Sequence, residues 1–508
     1  MPRCRHTLPD PVPAAVTTSA ERPGYKPDCS KPMAKETWDP EMLRPYLEAA
    51  SKISPPTRVS LEKFNEDSYN FPIPFPINTA RISTLVKQGK SQGKLTEHIN
   101  STYPVIHENC VPLLAAFLHY KKNHGSPTEK SLYEEMDLTG FVDRLLRNRP
   151  VTFFGKNDQY LLRDRTAGKG GFEKIGTSEE TPTLCLKDYL SYDEMKVSAF
   201  LSVSSESSFI NDGSRRNKGA PGKPGTFQQD GVIVGMVGAR LKKEGFMEWQ
   251  DCIVTKKQNC KELGYGSLDG PPRLQHAWSR LWGVPLPEWS SITPDNEKFL
   301  QVNNNSYINI EVYKKRMQLG AETLLAEAKS RARAKGLQAY IHVVGLGLGV
   351  WRASHEQDAM FVDAWGEALK GMNTTGVAHV DFSWIGATTC LGVGDGETFP
   401  ETNVTVHFSK RSLHDPVPSG TLLVVNYAWD GNSLPGNEYW IGKLSSTGDG
   451  AAACSSGVAE LHNVHINSNV CGTNLHVSTA YGIMHIGEYA KKYLSLGEVF
   501  QANKKLKA

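Results

Sequence analysis

The strongest constraint on the fold is the alternation of strand-type and helix-type segments that begins near residue 298. Residues 299–302, 339–344, 377–384, 404–408 and 422–427 are short β-type runs. Helical patterns fall between the first three: residues 308–335 are long and carry Ala321, Leu324, Leu325 and Ala328 on one stripe, and 361–369 lie in a shorter helix. The runs at 339–344 and 422–425 read as buried strands, the kind that lie inside a sheet with cover on both faces. Strands alternating with helices build α/β layers around a partly parallel sheet, so the predicted fold class is α/β.

The N-terminal half reads differently. Residues 1–40 are rich in Pro, Ser, Thr and charge and poor in large apolar side chains, which predicts a disordered tail. Residues 41–149 carry apolar positions at steps of three and four, as in LLAAFLHY after Pro112, and are expected to be mostly helical. The pattern changes at Pro150, and 150–490 is expected to be the α/β domain, followed by a basic tail at 491–508. Within it, 151–154, 196–203, 232–237 and 251–254 read as strands. Residues 204–229, full of Ser, Gly, Lys and Pro, read as an exposed, mobile loop.

A net charge of +3 on 508 residues argues against a dedicated nucleic-acid binder. Nine scattered cysteines form no CxxC and no Cys/His cluster with zinc-ligand spacing, which suits reduced thiols in the cytoplasm and predicts no metal. No run approaches the ~20 apolar residues of a membrane span, so no membrane partner is expected.

Candidate chemistry concentrates at 421–463, TLLVVNYAWDGNSLPGNEYWIGKLSSTGDGAAACSSGVAELHN. A buried strand feeds a loop in which Trp429, Tyr439 and Trp440 are interleaved with Asp430, Glu438 and Asp449. Loops after strand ends are where α/β proteins place binding and chemistry. Hydrolysis of a glycosidic bond calls for carboxylates around the anomeric carbon, to manage water, positive charge on the sugar and the leaving group's proton. Burial against the tryptophans would raise one carboxyl pKa. Asn426, Asn432 and Asn437 can bond sugar hydroxyls, or simply close Asx turns. Gly345, Gly347 and Gly349 follow the strand at 339–344 and form either a phosphate cradle or a tight turn. Trp351 and Arg352 come next, as a stacking surface and an anion partner. Asp381 is either a ribose or adenine contact or an edge residue satisfied by neighbouring amides. Cys454, Ser455, Ser456 and Gly457 enter an expected helix at Val458, whose amides could hold phosphate or whose serines could be caps. A Ser/His/Asp triad with His462 is thinkable, but GxSxG is absent.

Taken together, GLGLGVW (345–351), DFSW (381–384), DGNSLPGNEYW (430–440), GDGAAACSS (448–456) and AELHN (459–463) resemble the MavL-type divergent macrodomain proteins. The resemblance spans roughly residues 150–475. It implies an enlarged macrodomain-like three-layer α/β/α sandwich with a helical N-terminal region. It also implies removal of ADP-ribose from arginine side chains, those of ubiquitin being the known substrate type. ADP-ribose would be substrate moiety and product, with no further cofactor. Asp430, Glu438 and Asp449 fall where the acidic catalytic residues lie, with Glu438 where a shorter Asp is expected. Residues 345–349 and 454–457 are the expected diphosphate contacts, and Asp381 with the tryptophans the expected adenosine and ribose contacts. Asp430 and Glu438 would work at the anomeric carbon, with Asp449 orienting the guanidinium. Departures are the missing NAAN run and the missing triple-glycine loop. A non-catalytic ADP-ribose reader and an NAD-dependent ADP-ribosyltransferase are the alternatives.

Overall fold

A nine-stranded mixed sheet organises the chain. In chain order its strands are β1 (Tyr103–His107), β2 (Ser202–Ser208), β3 (Asp230–Met236), β4 (Gln338–Val344), β5 (Val377–Ser383), β6 (Thr405–Ser409), β7 (Thr421–Ala428), β8 (His476–Thr479) and β9 (Gly482–His485). Across the sheet the order is β6-β5-β4-β7-β3-β2-β1-β8-β9. The computed structural model describes residues 38–293 and 296–506; the expected N-terminal tail lies almost wholly outside them.

The first five strands in that order are mutually parallel, so their carboxyl ends share one edge. β2 is antiparallel to both neighbours, β8 is parallel to β1, and β9 closes the far side antiparallel. β7 sits between β4 and β3, and its residues from Leu422 to Tyr427 are buried without alternation. That pattern is the mark of a strand covered on both faces. Helix α1 (Ile310–Ala334) starts at an Asn309 cap and packs along β4, β1 and β8, with Leu324 and Ala328 wholly buried on its apolar stripe. Helix α2 (Gln357–Gly371) packs on α1. Residues 299–303 form a strand as expected, but in a separate three-stranded sheet with Ile253–Thr255 and Ser306–Asn309. Among the described residues no helix is long and apolar enough to cross a membrane.

Two expectations are corrected. Residues 196–203 are not one strand: a helix, Tyr192–Ser198, precedes β2. Nor is 204–208 an exposed loop, because the serine-rich β2 lies inside the sheet. Four of its five hydroxyls are occupied: Ser204 donates to Glu327 at 2.6 Å, Ser205 faces His462 Nε2 at 2.9 Å, Ser207 accepts from the Gly457 amide at 3.0 Å, and Ser208 donates to Asp230 at 2.7 Å. Buried hydroxyls are tolerated where they are bonded.

Two of the helices before β1 are tied to the short helix Val458–Leu461 by Glu460. Its carboxylate accepts from Ser68 Oγ, from Arg81 Nε at 3.1 Å and from the Ile82 amide at 2.6 Å, at the start of helix Ile82–Lys87. Glu460→Ala would orphan three donors. We expect a loss of about 1.5–3 kcal/mol, since the bonds are charge-assisted and buried; a urea midpoint unchanged from wild type would show the contact to be idle.

Candidate active site

Five loops leave the shared carboxyl edge of β3, β4, β5, β6 and β7, which is where open α/β sheets bind ligands. The loop after β7 carries the acidic residues. Asp430 keeps a partly open face. Its Oδ1 accepts from the Asn432 amide at 3.3 Å and its Oδ2 from Asn437 Nδ2 at 3.1 Å. Asp449 is fully buried. Its Oδ1 takes the Gly436 amide at 2.7 Å, and its Oδ2 has no partner among the described residues. Glu438 is half-buried, with Oε2 held by Thr447 Oγ1 at 3.0 Å. The same Thr447 oxygen caps helix α3 (Gly448–Ser455) through the Gly450 amide, so one side chain both starts the helix and fixes Glu438. The three carboxyl groups lie close enough for each of Asp430 and Asp449 to be affected by Glu438.

The environment splits these acids. Burial pushes Asp430 from the ordinary 3.8 up to about 7, against the pull of Arg240 and Arg149. Burial drives Asp449 well above the usual carboxylate range, with Glu438 and Asp430 adding to the rise and the Gly436 amide opposing it. Differently poised carboxyl groups in one site are the requirement for acid–base work near neutral pH.

The loop is braced from outside. Gly436 has φ +101° and Asn437 φ +40°, left-handed conformations that Gly and Asn accept. The bend turns the Asn437 amide onto Phe153, giving 2.9 Å from the Phe153 amide and 3.0 Å to its carbonyl, while Nδ2 also reaches Asp430. Asn432 is buried and accepts from Arg240 Nη1; Asn437 is likewise enclosed. Both therefore hold the loop's shape rather than face open space. Asn426 Oδ1 accepts from the Val344 amide at 2.8 Å, tying β7 to the root of the glycine loop.

Residues 345–349 leave β4 beside the residues that follow β3. Gly347 has φ +75°, and a Cβ there would lie 2.7 Å from the Ala239 carbonyl oxygen; one on Gly238 would collide with the Gly347 amide. The two backbones touch, which only glycine permits. Gly345 and Gly347 are partly exposed and Gly349 is open. Arg352, next along, is engaged with Asp358 and with His355 at 2.9 Å.

Other expected contacts lie elsewhere. Asp381 is 1% exposed and is bonded by Tyr340 and Ser409, both at 2.7 Å, so it links three strands. Trp440 is buried against Phe71 and Phe75 at 5.0 and 5.1 Å and donates to the Pro435 carbonyl; its rings meet core, not solvent. Trp429 is buried under Arg149. The helix expected to begin at Val458 is preceded by α3, so Cys454 and Ser455 fall in the last turn of a helix and not at a start. Ser455 and Ser456 donate back to Ala451 and Ala452, the Gly457 amide is taken by Ser207, and burial pushes the Cys454 thiol up to about 12. No free amides remain there for a phosphate. His462 is locked between Ser205 and Tyr427 and burial pushes it down to about 3, so no serine triad forms.

Two arginines unmarked in the sequence reading border the acids. Arg240, four residues past β3, binds Glu248 at 2.8 and 3.2 Å, the Met195 carbonyl at 2.9 Å and Asn432. Its position just beyond a strand end was the available signal. Arg149 sits before Pro150, where the sequence pattern changes, and carried no such signal.

The fold is a mixed α/β sheet whose parallel carboxyl edge gathers three carboxyl groups, two of them with raised pKa. The chain belongs to the MavL-like ADP-ribosylhydrolase family, whose model matches residues 62–492. It is 41% identical over 450 residues to the ADP-ribosylarginine hydrolase CG2909 of Drosophila melanogaster, covering 84% of this chain and 88% of the relative. It is 38% identical over 471 residues to the ADP-ribosylarginine hydrolase CG3568 of the same organism, covering 89% and 92%.

Proposed function

We infer that the protein is an ADP-ribosylarginine hydrolase, cleaving the N-glycosidic bond between ADP-ribose and an arginine side chain. The observation that carries this reading is the trio Asp430, Glu438 and Asp449 at the carboxyl edge. The activity named for both Drosophila relatives supports it. Asp430, half ionised near neutral pH, takes a proton from the attacking water and, with Glu438, stabilises positive charge on the ribose. Asp449, whose burial favours the protonated form, is better suited to give a proton to the departing guanidine nitrogen from Oδ2 than to orient a cation. Water's oxygen ends on the anomeric carbon, its proton on Asp430, and the Asp449 proton on the leaving nitrogen.

The diphosphate is assigned to residues 345–349, supported by the exposed glycine backbone. The enlarged macrodomain-like sandwich is the architecture we assign to the catalytic region, and arginine-modified ubiquitin in the cytoplasm the substrate we would try first. ADP-ribose at about 100 times its dissociation constant should add roughly 2.7 kcal/mol to stability, read as a thermal shift. The test of function is release of free ADP-ribose from an arginine-linked peptide, run beside a glutamate-ester-linked peptide and beside NAD with unmodified peptide. Release from the arginine linkage alone is expected, because a guanidinium pairs with carboxylates that would repel an acidic peptide. Faster ester cleavage, or nicotinamide release from NAD, would sink the reading.

A further inference from the structure

Arg149 is wholly buried, yet among the described residues both its Nη atoms lack a hydrogen-bond partner. Only Nε is bonded, to the Leu145 carbonyl at 2.8 Å. The guanidinium lies over the ring of Trp429, 4.1 Å from its centroid, immediately before Asp430 in the chain. Among the described residues it has no salt bridge, whereas Arg240 and Arg316 both reach Glu248. A buried cation calls for a counter-charge. Around Arg149 the charges that act are Arg240, which opposes it, and Asp430 and Tyr427, which favour it. Burial of Tyr427 raises its phenol well above the usual range, so it carries no charge, and Asp430 is left as the counter-ion.

The segment is held in place independently of that charge. The Pro150 carbonyl accepts from the Leu434 amide at 2.9 Å, and Asn437 clasps Phe153, so the chain around Arg149 is stitched to the loop that carries the acids. Arg149 and Asp430 form no hydrogen bond, which leaves the Asp430 oxygens to Asn432, Asn437 and a substrate.

We propose that Arg149 is a positioning residue for the hydrolysis: its buried, unpaired guanidinium adds to that of Arg240 the positive charge against which Asp430 ionises, without a salt bridge that would occupy the carboxylate. The proposal rests on the hydrolase reading above. The groups facing Asp430 are Arg240, Arg149, Glu438 and Asp449, and of the two cations only Arg149 has no carboxylate of its own.

The test is the pH profile of kcat/KM for ADP-ribose release by the full chain, by Arg149→Met and by Arg149→Lys. Removing a positive charge raises the pKa of a neighbouring acid. The acid limb of Arg149→Met should therefore move up by about one pH unit or more, a loss of about tenfold on the limb that recovers above it. Arg149→Lys keeps the charge, and its limb should stay within a few tenths of a unit of wild type. An equal loss at every pH with the limb unmoved would make Arg149 a packing residue and overturn the proposal, as would a lysine limb displaced as far as that of methionine. If Arg149→Met does not fold, Arg149→Lys decides by the same criterion. If wild type releases no ADP-ribose, the functional reading fails on its own. The Asp430 titration is then followed without turnover from carbon-13-labelled aspartate, its signal assigned by loss in Asp430→Asn, and a midpoint unchanged by removing the Arg149 charge overturns the proposal.

Discussion

Asp430→Asn is expected to lose turnover by about tenfold to a hundredfold while still binding ADP-ribose, the usual effect of removing one charged partner from a partly buried site. Asn is nearly isosteric and its single amide oxygen can still accept from the Asn432 amide, giving up only the second bond, from Asn437 Nδ2, whose other hold on the Phe153 carbonyl remains. The same substitution should stabilise the fold at alkaline pH. The native Asp430 pKa is raised from 3.8 to about 7, so the folded state binds this proton more tightly than the unfolded chain. Stability from this group is present at low pH and falls as pH rises through that window. The Asn variant avoids the cost, so its melting temperature should exceed wild type's above about pH 7, and the gap should close towards pH 4. Full activity in the variant, or a gap that widens as pH falls, would remove Asp430 from the chemistry. Sites that hold a charge where burial opposes it commonly show this exchange of stability for activity.

Glu248→Ala should produce the largest stability loss. Glu248 is 2% exposed and serves two buried guanidinia, Arg240 at 2.8 Å and Arg316 at 3.5 Å. Removing it leaves both cations without a counter-ion, at a cost of about 3–5 kcal/mol. These partners hold the Glu248 pKa below the ordinary value despite its burial. Its contribution is therefore present above the unfolded pKa and fades as pH falls through the depressed native one. Urea unfolding at neutral and acid pH measures both; a change under about 1 kcal/mol at neutral pH would mean the arginines find other partners. Because Arg240 also grips Asn432, the variant should loosen the acidic loop as well.

The strands of the C-terminal half were legible because their side chains are apolar at consecutive or alternate positions: residues 339–344 and 422–427 fall within β4 and β7. The long helix announced itself through its stripe, and 308–335 brackets Ile310–Ala334. β2 could not be read this way, since SVSSESS has the composition of a loop and becomes a buried strand only through partners scattered from Asp230 to His462. The same limit applies at the site. The sequence marks Asp430, Glu438 and Asp449 by their company of aromatics and glycines. It does not show that Trp440 is spent on Phe71 and Phe75, nor that the amides near Gly457 are spent on β2. Arg149 and Arg240 reach the loop from distant segments, and composition holds no trace of such an approach.

The pairing of β1 with β8 sets Val105 against His476, and β9 then completes the sheet. On a ribosome the strand at 103–107 emerges early and has one permanent neighbour, β2, at hand soon after. Its other edge stays open until β8, far downstream, has been made. Contacts this far apart in sequence form slowly, and an unpaired strand edge invites association with other chains meanwhile. Synthesis of β8 and β9 is thus the step that seals the sheet, and a chain stalled or cut before β8 would carry that adhesive edge for as long as it persists.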